Sequence, residues 1–221
     1  MTEPAATASN NEDLSVLLAR GLEQMNLPLP PQTQAKLIGY LALLSKWNRV
    51  YNLTAVRDPV QMVMRHLLDS LSVAPYIKGP RVLDVGTGAG LPGIPLALAL
   101  PDVHFVLLDS NRKKTRFVTQ AVADLGMSNV TVEACRIESY RPDEPFDTVI
   151  SRAFSELVDM LTATDRLCRA GGVMLAMKGE YPAQEMAVVP ECYAAADVHP
   201  LIVPGLDAKR HVVCVAARGA N

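Results

Sequence analysis

Arg81-Val-Leu-Asp-Val-Gly-Thr-Gly-Ala-Gly-Leu-Pro-Gly93 joins an apolar strand to a glycine-rich turn and the start of a helix. The strand ends at Asp84-Val85, and Gly86, Gly88 and Gly90 follow at alternate positions. Glycine lets a backbone turn sharply at the carboxyl edge of a parallel sheet and approach a ligand closely. Because alternating glycines exceed what a ligand-free turn requires, the segment predicts a binding site for a nucleotide-type ligand.

Short apolar runs alternate with helical windows from residue 79 onward. The runs that predict strands lie at 82–85, 103–108, 130–132, 148–151, 173–177, 191–199 and 210–217. The helical windows lie near 91–100, 111–126, 155–167 and 182–188. This alternation predicts parallel strands with helices on both faces, and the last two runs suit an antiparallel edge hairpin. We therefore predict an α/β fold with a doubly wound, seven-stranded, mainly parallel sheet, a Rossmann-like architecture.

The part of the chain before residue 79 has helical periodicity, with apolar residues three or four positions apart. Three helices are predicted there, and the third begins after Asp58-Pro59. Its predicted apolar face comprises Val60, Val63, Met64, Leu67 and Leu71. We predict a flexible tail at residues 1–10, an N-terminal helical extension at 11–78 and the ligand-binding domain at 79–221. The extension and the domain are expected to form one compact unit.

Composition and charge restrict the class of protein. The chain has 221 residues, 49% hydrophobic and 20% charged, which excludes a disordered or collagen-like chain. A formal net charge of -2 argues against a strongly basic nucleic-acid binder. Part of the acidity lies in the first 30 residues, where Arg20 is the only cation beside Glu3, Glu12, Asp13 and Glu23. The rest of the chain is therefore close to neutral.

The cysteines are scattered along the chain at Cys135, Cys168, Cys192 and Cys214. They form no C-x-x-C pair and no histidine lies at zinc-site spacing, so we predict no metal site and a reducing compartment. The first residues show no basic segment followed by an apolar stretch, and the uncharged run 85–101 contains glycines and prolines that disfavour a membrane helix. We expect a cytoplasmic protein with no membrane segment.

The sequence of the glycine-rich loop is compatible with two kinds of cofactor. Gly88-Ala-Gly90-Leu-Pro-Gly93 matches a dinucleotide fingerprint, but it begins two residues after the strand instead of directly after it. Asp84 before the glycines is unfavourable beside a pyrophosphate and suits a cation such as the amino group of S-adenosylmethionine. Asp109 ends the second strand, where it would accept hydrogen bonds from ribose hydroxyls in either case. The loop favours S-adenosylmethionine, with an NAD-dependent oxidoreductase as an open alternative.

Further motifs occur in a fixed order along the chain. They are Lys46-Trp-Asn-x-x-Tyr-Asn-Leu-Thr54, Arg65-His-x-x-Asp-Ser70, Asp84-Val-Gly-Thr-Gly-x-Gly-Leu-Pro-Gly-Ile-Pro95, Leu108-Asp-Ser110, Ser151-Arg-Ala-Phe154 and Lys178-Gly179. From about residue 35 to 215 the sequence resembles the ribosomal small-subunit methyltransferase G family, also called glucose-inhibited division protein B, within the class I S-adenosylmethionine-dependent methyltransferases. The resemblance implies N7 methylation of one guanine in 16S ribosomal RNA, with S-adenosylhomocysteine as product and the small subunit as partner. We expect a monomer.

The cofactor site is predicted at the carboxyl ends of the strands. The resemblance implies that the cofactor is contacted by Gly86, Leu91, Ile137, Glu138 and Arg152. The loop and the strand ends add Asp84, Gly88, Gly90 and Asp109. Two of these positions have ordinary structural alternatives, because Ile137 could be a core residue and Arg152 could form a surface ion pair.

The chemistry of guanine N7 requires few catalytic groups. N7 carries a free lone pair in the neutral base, so the reaction needs no general base or nucleophile, and we assign no catalytic residue with certainty. Proximity and orientation alone supply about 7–11 kcal/mol in favourable cases. Enzymes that methylate exocyclic amines carry an Asp/Asn-Pro-Pro-aromatic motif at the position of Ser151-Arg152, so that reaction is disfavoured here. Methylation at pyrimidine C5 is also disfavoured, because Cys135 and Cys168 lie in no motif for it.

Polar residues elsewhere are candidates for contacts with the base and the RNA. Arg65 and Asp69 lie four positions apart on the predicted polar side of the third helix, and Lys178 follows the fifth strand. These three are predicted to orient the guanine, and the alternatives are an exposed intrahelical ion pair and a solvated lysine. His66, on the same predicted face, and Asn52 are candidate RNA contacts. Asn52 could instead build a turn together with Asn48 and Thr54.

A cluster of cations begins the helix after the second strand, in Asn111-Arg-Lys-Lys-Thr-Arg-Phe117. Cations there oppose the helix macrodipole, which favours a phosphate partner over a solvated face. Lys113, Lys114 and Arg116 are therefore predicted to form an RNA-docking rim, with a shallow salt dependence because the chain is nearly neutral. Two further alternatives stay open, a methyltransferase of the same fold acting on a small molecule or protein and a non-catalytic ribosome-assembly factor.

Overall fold

A seven-stranded sheet forms the centre of the protein in the computed structural model, which describes residues 4–152, 154, 156–193 and 196–218. Its strands are β1 (Arg81–Val85), β2 (His104–Leu108), β3 (Val130–Glu133), β4 (Phe146–Ser151), β5 (Cys168–Lys178), β6 (Ala196–Pro200) and β7 (His211–Ala216). The strand order is β3-β2-β1-β4-β5-β7-β6, and β7 runs antiparallel to the other six strands. The predicted doubly wound, mainly parallel sheet is confirmed, as is the antiparallel hairpin at its edge.

The strand order reverses between β1 and β4. From β1 the chain proceeds to β2 and β3 on one side, and β4 leads to β5 on the other. Loops that leave the carboxyl ends of β1 and β4 therefore diverge and open a crevice at the point where such sheets bind ligands. Gly86 follows β1 there, and Arg152 follows β4.

Alternate residues of the strands contribute to two apolar cores, one on each face of the sheet. Val82 and Leu107 belong to the core shared with the N-terminal extension, whereas Leu83 and Leu108 belong to the opposite core. Nearly every residue of β1 and β4 is buried, as expected for parallel strands covered on both faces.

The helices flank this sheet. They are α1 (Pro4–Gln24), α2 (Pro31–Tyr51), α3 (Pro59–Met62), α4 (Asp69–Leu71), α5 (Gly93–Ala99), α6 (Arg112–Asp124), α7 (Leu157–Thr164) and α8 (Ala183–Ala187). The first helix begins at Pro4, earlier than the start near residue 11 that its leucine spacing suggests, and alanines favour helix in this added stretch. None of the described helices is long and apolar enough to cross a membrane.

The third predicted helix contains a π-helical stretch, Val63–Leu68, that joins α3 and α4 into the continuous helix 59–71. Its start is confirmed, because the Asp58 side chain accepts a hydrogen bond from the Gln61 backbone N–H and Pro59 follows the cap. The predicted faces are wrong in part, because Val60 is 45% exposed while His66 and Asp69 are buried. A π-helical turn contains more residues than an α-helical turn, so α-helical spacing does not hold through this stretch.

The helical extension packs directly on the ligand-binding domain. Tyr40 on α2 is fully buried, and its hydroxyl donates a 2.8 Å hydrogen bond to the carbonyl of Ala89 in the glycine-rich loop. The Trp47 ring lies 5.7 Å from the Phe117 ring on α6, measured between centroids. The extension thus supports both the glycine-rich loop and α6 at the crevice.

Candidate functional site

The glycine-rich loop occupies the crevice between β1 and β4. The backbone N–H groups of Gly86 and Thr87 both donate to the Leu108 carbonyl, which fastens the loop to the end of β2. Gly88 has φ +61, and a Cβ placed there would lie 3.9 Å from both the Gly86 carbonyl oxygen and Lys114 Nζ, so it would clash with neither. At Gly90, with φ +88, a Cβ would lie 2.5 Å from Ile94, so this glycine is required by packing.

Asp84 lies beneath this loop and is fully buried. Its Oδ2 accepts hydrogen bonds from the Thr87 hydroxyl at 2.7 Å and from the Gly93 backbone N–H at 2.9 Å. Burial raises the pKa of Asp84 to about 6, against the lowering effect of these two hydrogen bonds. We expected Asp84 to face a cationic ligand, but the structure places it below the loop, where it holds Thr87 and Gly93 in position.

A first cavity, cavity I, has a volume of about 400 Å³ beside the carboxyl ends of β1 and β2. It is lined by Val85, Gly86, Leu108, Asp109, Ser110, Cys135, Arg136, Ile137, Glu138 and Phe154. It brings together four residues predicted for the cofactor, Gly86, Asp109, Ile137 and Glu138. Apolar walls next to two carboxylates are suited to an aromatic base that carries hydroxyl groups.

Asp109 connects cavity I to the loop. Its Oδ2 accepts from the Gly88 backbone N–H, and its Oδ1 accepts from the Asn111 backbone N–H, each at 2.8 Å. A carboxylate has about four lone-pair positions, so both oxygens retain capacity to accept from a ligand. The predicted acceptor at the end of β2 therefore also fixes the conformation of Gly88.

A second cavity, cavity II, of about 200 Å³, lies along the glycine-rich loop. It is lined by Leu53, Thr54, Gly86, Thr87, Gly88, Ala89, Leu91, Lys114 and Arg152. Gly86 lines both cavities, and Leu91, Gly88 and Arg152 stand where cofactor contacts were predicted. Lys114 was predicted for the RNA rim, but it lines this cavity, whereas Lys113 and Arg116 are exposed on α6.

A third cavity, cavity III, of about 380 Å³, lies beyond Arg152. It is lined by Val56, Arg65, His66, Asp69, Arg152, Met177, Lys178, Gly179 and Arg210. The three residues predicted to orient a guanine, Arg65, Asp69 and Lys178, thus lie around one cavity. Arg152 lines both cavity II and cavity III and forms the boundary between them.

Asp69 is the centre of a charge network in cavity III. Arg152 Nη1 lies 3.1 Å from Asp69 Oδ2, and Arg210 Nε lies 2.7 Å from Asp69 Oδ1. The alternative of an exposed Arg65–Asp69 pair is wrong, because Arg65 Nε donates to Gln61 and Asp69 is 2% exposed. Sequence reasoning did not identify Arg210, which precedes β7 and resembles the exposed Lys209 beside it.

His66 is buried next to this network. Its Nε2 lies 2.9 Å from the Thr54 hydroxyl, and its Nδ1 has no hydrogen-bond partner within the described residues. Burial, together with the charge of Arg152, lowers the pKa of His66 to about 4, so the imidazole is neutral at pH 7. The predicted face of His66 is therefore wrong, since a buried neutral ring at cavity III is not an exposed phosphate contact.

The turn between α2 and the continuous helix 59–71 is built by its own side chains. Asn48 donates to the Thr54 carbonyl at 2.9 Å and accepts from the Thr54 backbone N–H at 3.0 Å. Asn52 has φ 49 and is exposed beside Arg57, whose Nη2 lies 3.4 Å from Asn52 Oδ1. The turn interpretation is therefore correct for Asn48 and Thr54. The Thr54 hydroxyl also contacts His66, which connects the turn to cavity III.

Lys178 is held in place at the end of β5. Its Nζ lies 2.7 Å from Glu185 Oε2 and donates to the Phe154 carbonyl at 3.3 Å. Glu185 also accepts from the Leu157 backbone N–H, so one carboxylate positions both α7 and Lys178. The solvated-lysine alternative is wrong, because the Lys178 side chain is only 10% exposed. Sequence reasoning did not identify Glu185.

Cys135 and Cys168 lack the features of an activated nucleophile. Burial raises the pKa of Cys168 to about 12, and burial also raises the pKa of Cys135, which lines cavity I. A nucleophilic cysteine needs the opposite shift, toward the thiolate. Within the described part of the chain, no group of three or more His, Cys, Asp or Glu side chains could hold a metal ion.

Comparison with known proteins gives matches over most of the chain. The family model GidB, rRNA small subunit methyltransferase G, matches residues 33–213. A protein named ribosomal RNA small subunit methyltransferase G from Hahella chejuensis is 50% identical over 202 residues, which cover 91% of this chain and 93% of that protein. One of the same name from Aromatoleum aromaticum is 52% identical over 201 residues, covering 89% and 95% respectively.

Solved structures at lower identity resemble the fold. A putative O-methyltransferase from Klebsiella pneumoniae has a TM-score of 0.57 at 15% identity, covering 94% of this chain and 99% of that one. The O-methyltransferase TomG from Streptomyces achromogenes, in complex with SAM, has a TM-score of 0.56 at 18% identity, covering 80% and 89% respectively. At these identities the likeness concerns the fold alone.

Proposed function

Because the chain belongs to the rRNA small subunit methyltransferase G family, we propose that it transfers a methyl group from S-adenosylmethionine to N7 of one guanine in 16S ribosomal RNA. One observation carries the proposal. Arg152 lines both cavity II, on the side of the glycine-rich loop, and cavity III, which is rich in polar side chains. A cofactor beside the loop and a base in cavity III would therefore meet at a single residue, as methyl transfer requires.

Cavities I and II fit the proposed cofactor. Glu138 and Asp109 would accept from the adenine and ribose, with Ile137 and Phe154 as apolar walls around the base. Gly88 lines cavity II and has no side chain, which lets a ligand approach the backbone of the loop where a larger residue would intrude. When bound, S-adenosylmethionine supplies a methyl group activated by its sulfonium.

Cavity III has the donors that a guanine requires. Arg65 and Lys178 would donate to O6, which leaves N7 free to accept the methyl group. We assign Asp69 a positioning role in place of direct guanine recognition, because each of its oxygens already accepts from an arginine. Asp69 thereby holds Arg152 and Arg210 beside the base, although they lie 83 and 141 positions away from it in the chain.

Two carboxylates and a neutral histidine reduce the positive charge around cavity III. Methylation at N7 leaves a positive charge on the purine, so additional cations around the base would oppose the reaction. His66 is neutral at pH 7, Glu185 offsets the charge of Lys178, and Asp69 offsets part of the charge of Arg152 and Arg210. No group at cavity III needs to remove a proton from N7, and binding and alignment supply the catalysis.

The proposed partner is the small ribosomal subunit or its 16S RNA, and the proposed setting is a monomer in the cytoplasm. The test uses labelled S-adenosylmethionine with small-subunit particles, naked ribosomal RNA and a nucleotide pool, all from a strain that lacks the gene. Nucleoside mass spectrometry of the 16S RNA should find label in N7-methylguanine. Arg152→Ala should abolish transfer, whereas Arg20→Ala, a change at an exposed position on α1, should not alter it.

Each alternative gives a different result in the same assay. Label in a small molecule or protein and none in RNA would indicate a methyltransferase of the same fold with another substrate. Particle binding without transfer to any acceptor would indicate a non-catalytic assembly factor. Either result would contradict the proposed function.

A further inference from the structure

Lys114 is a cation without an acidic partner in a half-buried position. It lies near the start of α6, and its ammonium group forms no ion pair or hydrogen bond within the described residues. Its backbone N–H is capped by Asn111, which holds the helix start but leaves the side chain unaffected. Partial burial of an unpaired charge is unfavourable, so a ligand that supplied a negative charge would be stabilised there.

The Lys114 side chain extends over the glycine-rich loop. Its Nζ lies 3.9 Å from the point where a Cβ on Gly88 would stand, and the side chain lines cavity II. Helical side chains tilt toward the amino terminus of their helix, which here directs Lys114 toward the carboxyl end of β2 and the adjoining loop. Lys113 and Arg116, on the same helix, are exposed.

The charges around cavity II favour an anion. The residues that line it include two cations, Lys114 and Arg152, and no Asp or Glu. Arg152 is already neutralised in part by Asp69, whereas Lys114 is not. The first turn of α6 contains no acidic residue, so its macrodipole adds positive potential instead of offsetting it.

We propose that Lys114 binds the carboxylate at the amino-acid end of S-adenosylmethionine and is not part of an RNA-docking rim. This inference rests on the proposed function for the identity of the cofactor. Cavity I has the acceptors and apolar walls for the nucleoside, and cavity II joins it at Gly86. The amino-acid end is thus the part of the cofactor that reaches cavity II. Its carboxylate would supply the anionic partner that Lys114 does not have among the described residues.

The test compares two ligands that share the nucleoside. Dissociation constants for S-adenosylmethionine and for 5′-methylthioadenosine, which has no amino-acid end, are measured by calorimetry on the full chain. Lys114→Ala should weaken binding of S-adenosylmethionine roughly 10-fold to 100-fold and leave 5′-methylthioadenosine unchanged. Lys114→Arg should retain most of the affinity. Arg112→Ala removes an exposed charge from the same turn and should bind both ligands as the wild type does.

Two results would overturn the proposal. One is wild-type affinity of Lys114→Ala for S-adenosylmethionine, and the other is an equal loss for both ligands, which would indicate a general change in the cavity. A wild-type chain that bound neither ligand would contradict the proposed function and remove this inference with it.

Discussion

Arg152 Nη1 and Asp69 Oδ2 lie 3.1 Å apart, and this contact joins the carboxyl end of β4 to the continuous helix 59–71. Asp69 is almost completely buried, while Arg152 is 30% exposed and reaches two cavities. The buried carboxylate therefore fixes the direction of an arginine that remains accessible to ligands. The first prediction concerns this contact.

Asp69→Asn should reduce the rate of methyl transfer more than it reduces affinity for S-adenosylmethionine, because Arg152 and Arg210 lose their common anion. Breaking a buried ion pair by removing one partner typically lowers the free energy of unfolding by about 3–5 kcal/mol. The partial exposure of both arginines should keep the loss below that range. Denaturant unfolding, single-turnover kinetics and calorimetry measure the three quantities, with Asp102→Asn at an exposed position as control. Equal losses in rate and affinity would contradict the positioning role.

Asp84→Asn and His66→Gln should change the pH dependence of stability in opposite directions. The raised pKa of Asp84, about 6, means that the folded state binds the proton more tightly than the unfolded state does. Its contribution to stability therefore falls as pH rises from about 4 to 6, by on the order of 2–3 kcal/mol. The lowered pKa of His66, about 4, makes its contribution rise with pH over about 4 to 6.5. In the wild type these two slopes largely cancel.

The measurement is the free energy of unfolding between pH 4 and 6.5 for the wild type and each variant. Asp84→Asn should leave the rising slope of His66, and His66→Gln should leave the falling slope of Asp84. Slopes of the same sign in the two variants would show that at least one of these pKa shifts has the wrong direction.

Gly88→Ala should weaken binding of S-adenosylmethionine about 10-fold, because the added methyl group would project from a residue that lines cavity II. Gly126→Ala is a matched control, since Gly126 has φ +59 and no atom lies within 4 Å of a Cβ placed there. Both changes force alanine into the left-handed region at a cost of about 1–2 kcal/mol in stability. Calorimetry should show that only Gly88→Ala affects the ligand. Equal affinities in the two variants would mean that the space above Gly88 is not used.

Lys113→Glu with Arg116→Glu should weaken binding to 16S RNA and make its salt dependence shallower, because these exposed cations are predicted to contact phosphates. Each lost phosphate contact should lower the slope of log affinity against log salt by about 0.7–0.9. Arg20→Glu, an exposed change on α1, should leave the slope unaltered and serves as control. A double variant with the wild-type slope and affinity would exclude the rim.

Local patterns in the sequence were sufficient to predict the architecture. The central strands β1, β2 and β4 are largely buried, mainly apolar runs bounded by turn residues. The glycine-rich loop follows β1 directly, so its place at the sheet edge follows from topology. The cofactor candidates Gly86, Asp109, Ile137 and Glu138 stand at strand ends and meet in cavity I for the same reason.

Long-range pairing and an irregular helix caused the errors. The π-helical stretch rotates His66 and Asp69 inward, and α-helical spacing does not reveal such a change. Arg210 is 141 positions from its partner Asp69, so no local pattern relates the two. Lys114 resembles its exposed neighbours in sequence and differs from them only in where the fold directs its side chain.

The pairing of Asp69 with Arg210 also has a consequence for biosynthesis. Arg210 directly precedes β7, which inserts between β5 and β6 as the last strand of the sheet to leave the ribosome. The parts of the chain that form cavities I and II are all translated by residue 154, whereas cavity III lacks one arginine until β7 is paired. A nascent chain can thus contain every lining residue of cavities I and II before it contains Arg210, which cavity III also needs.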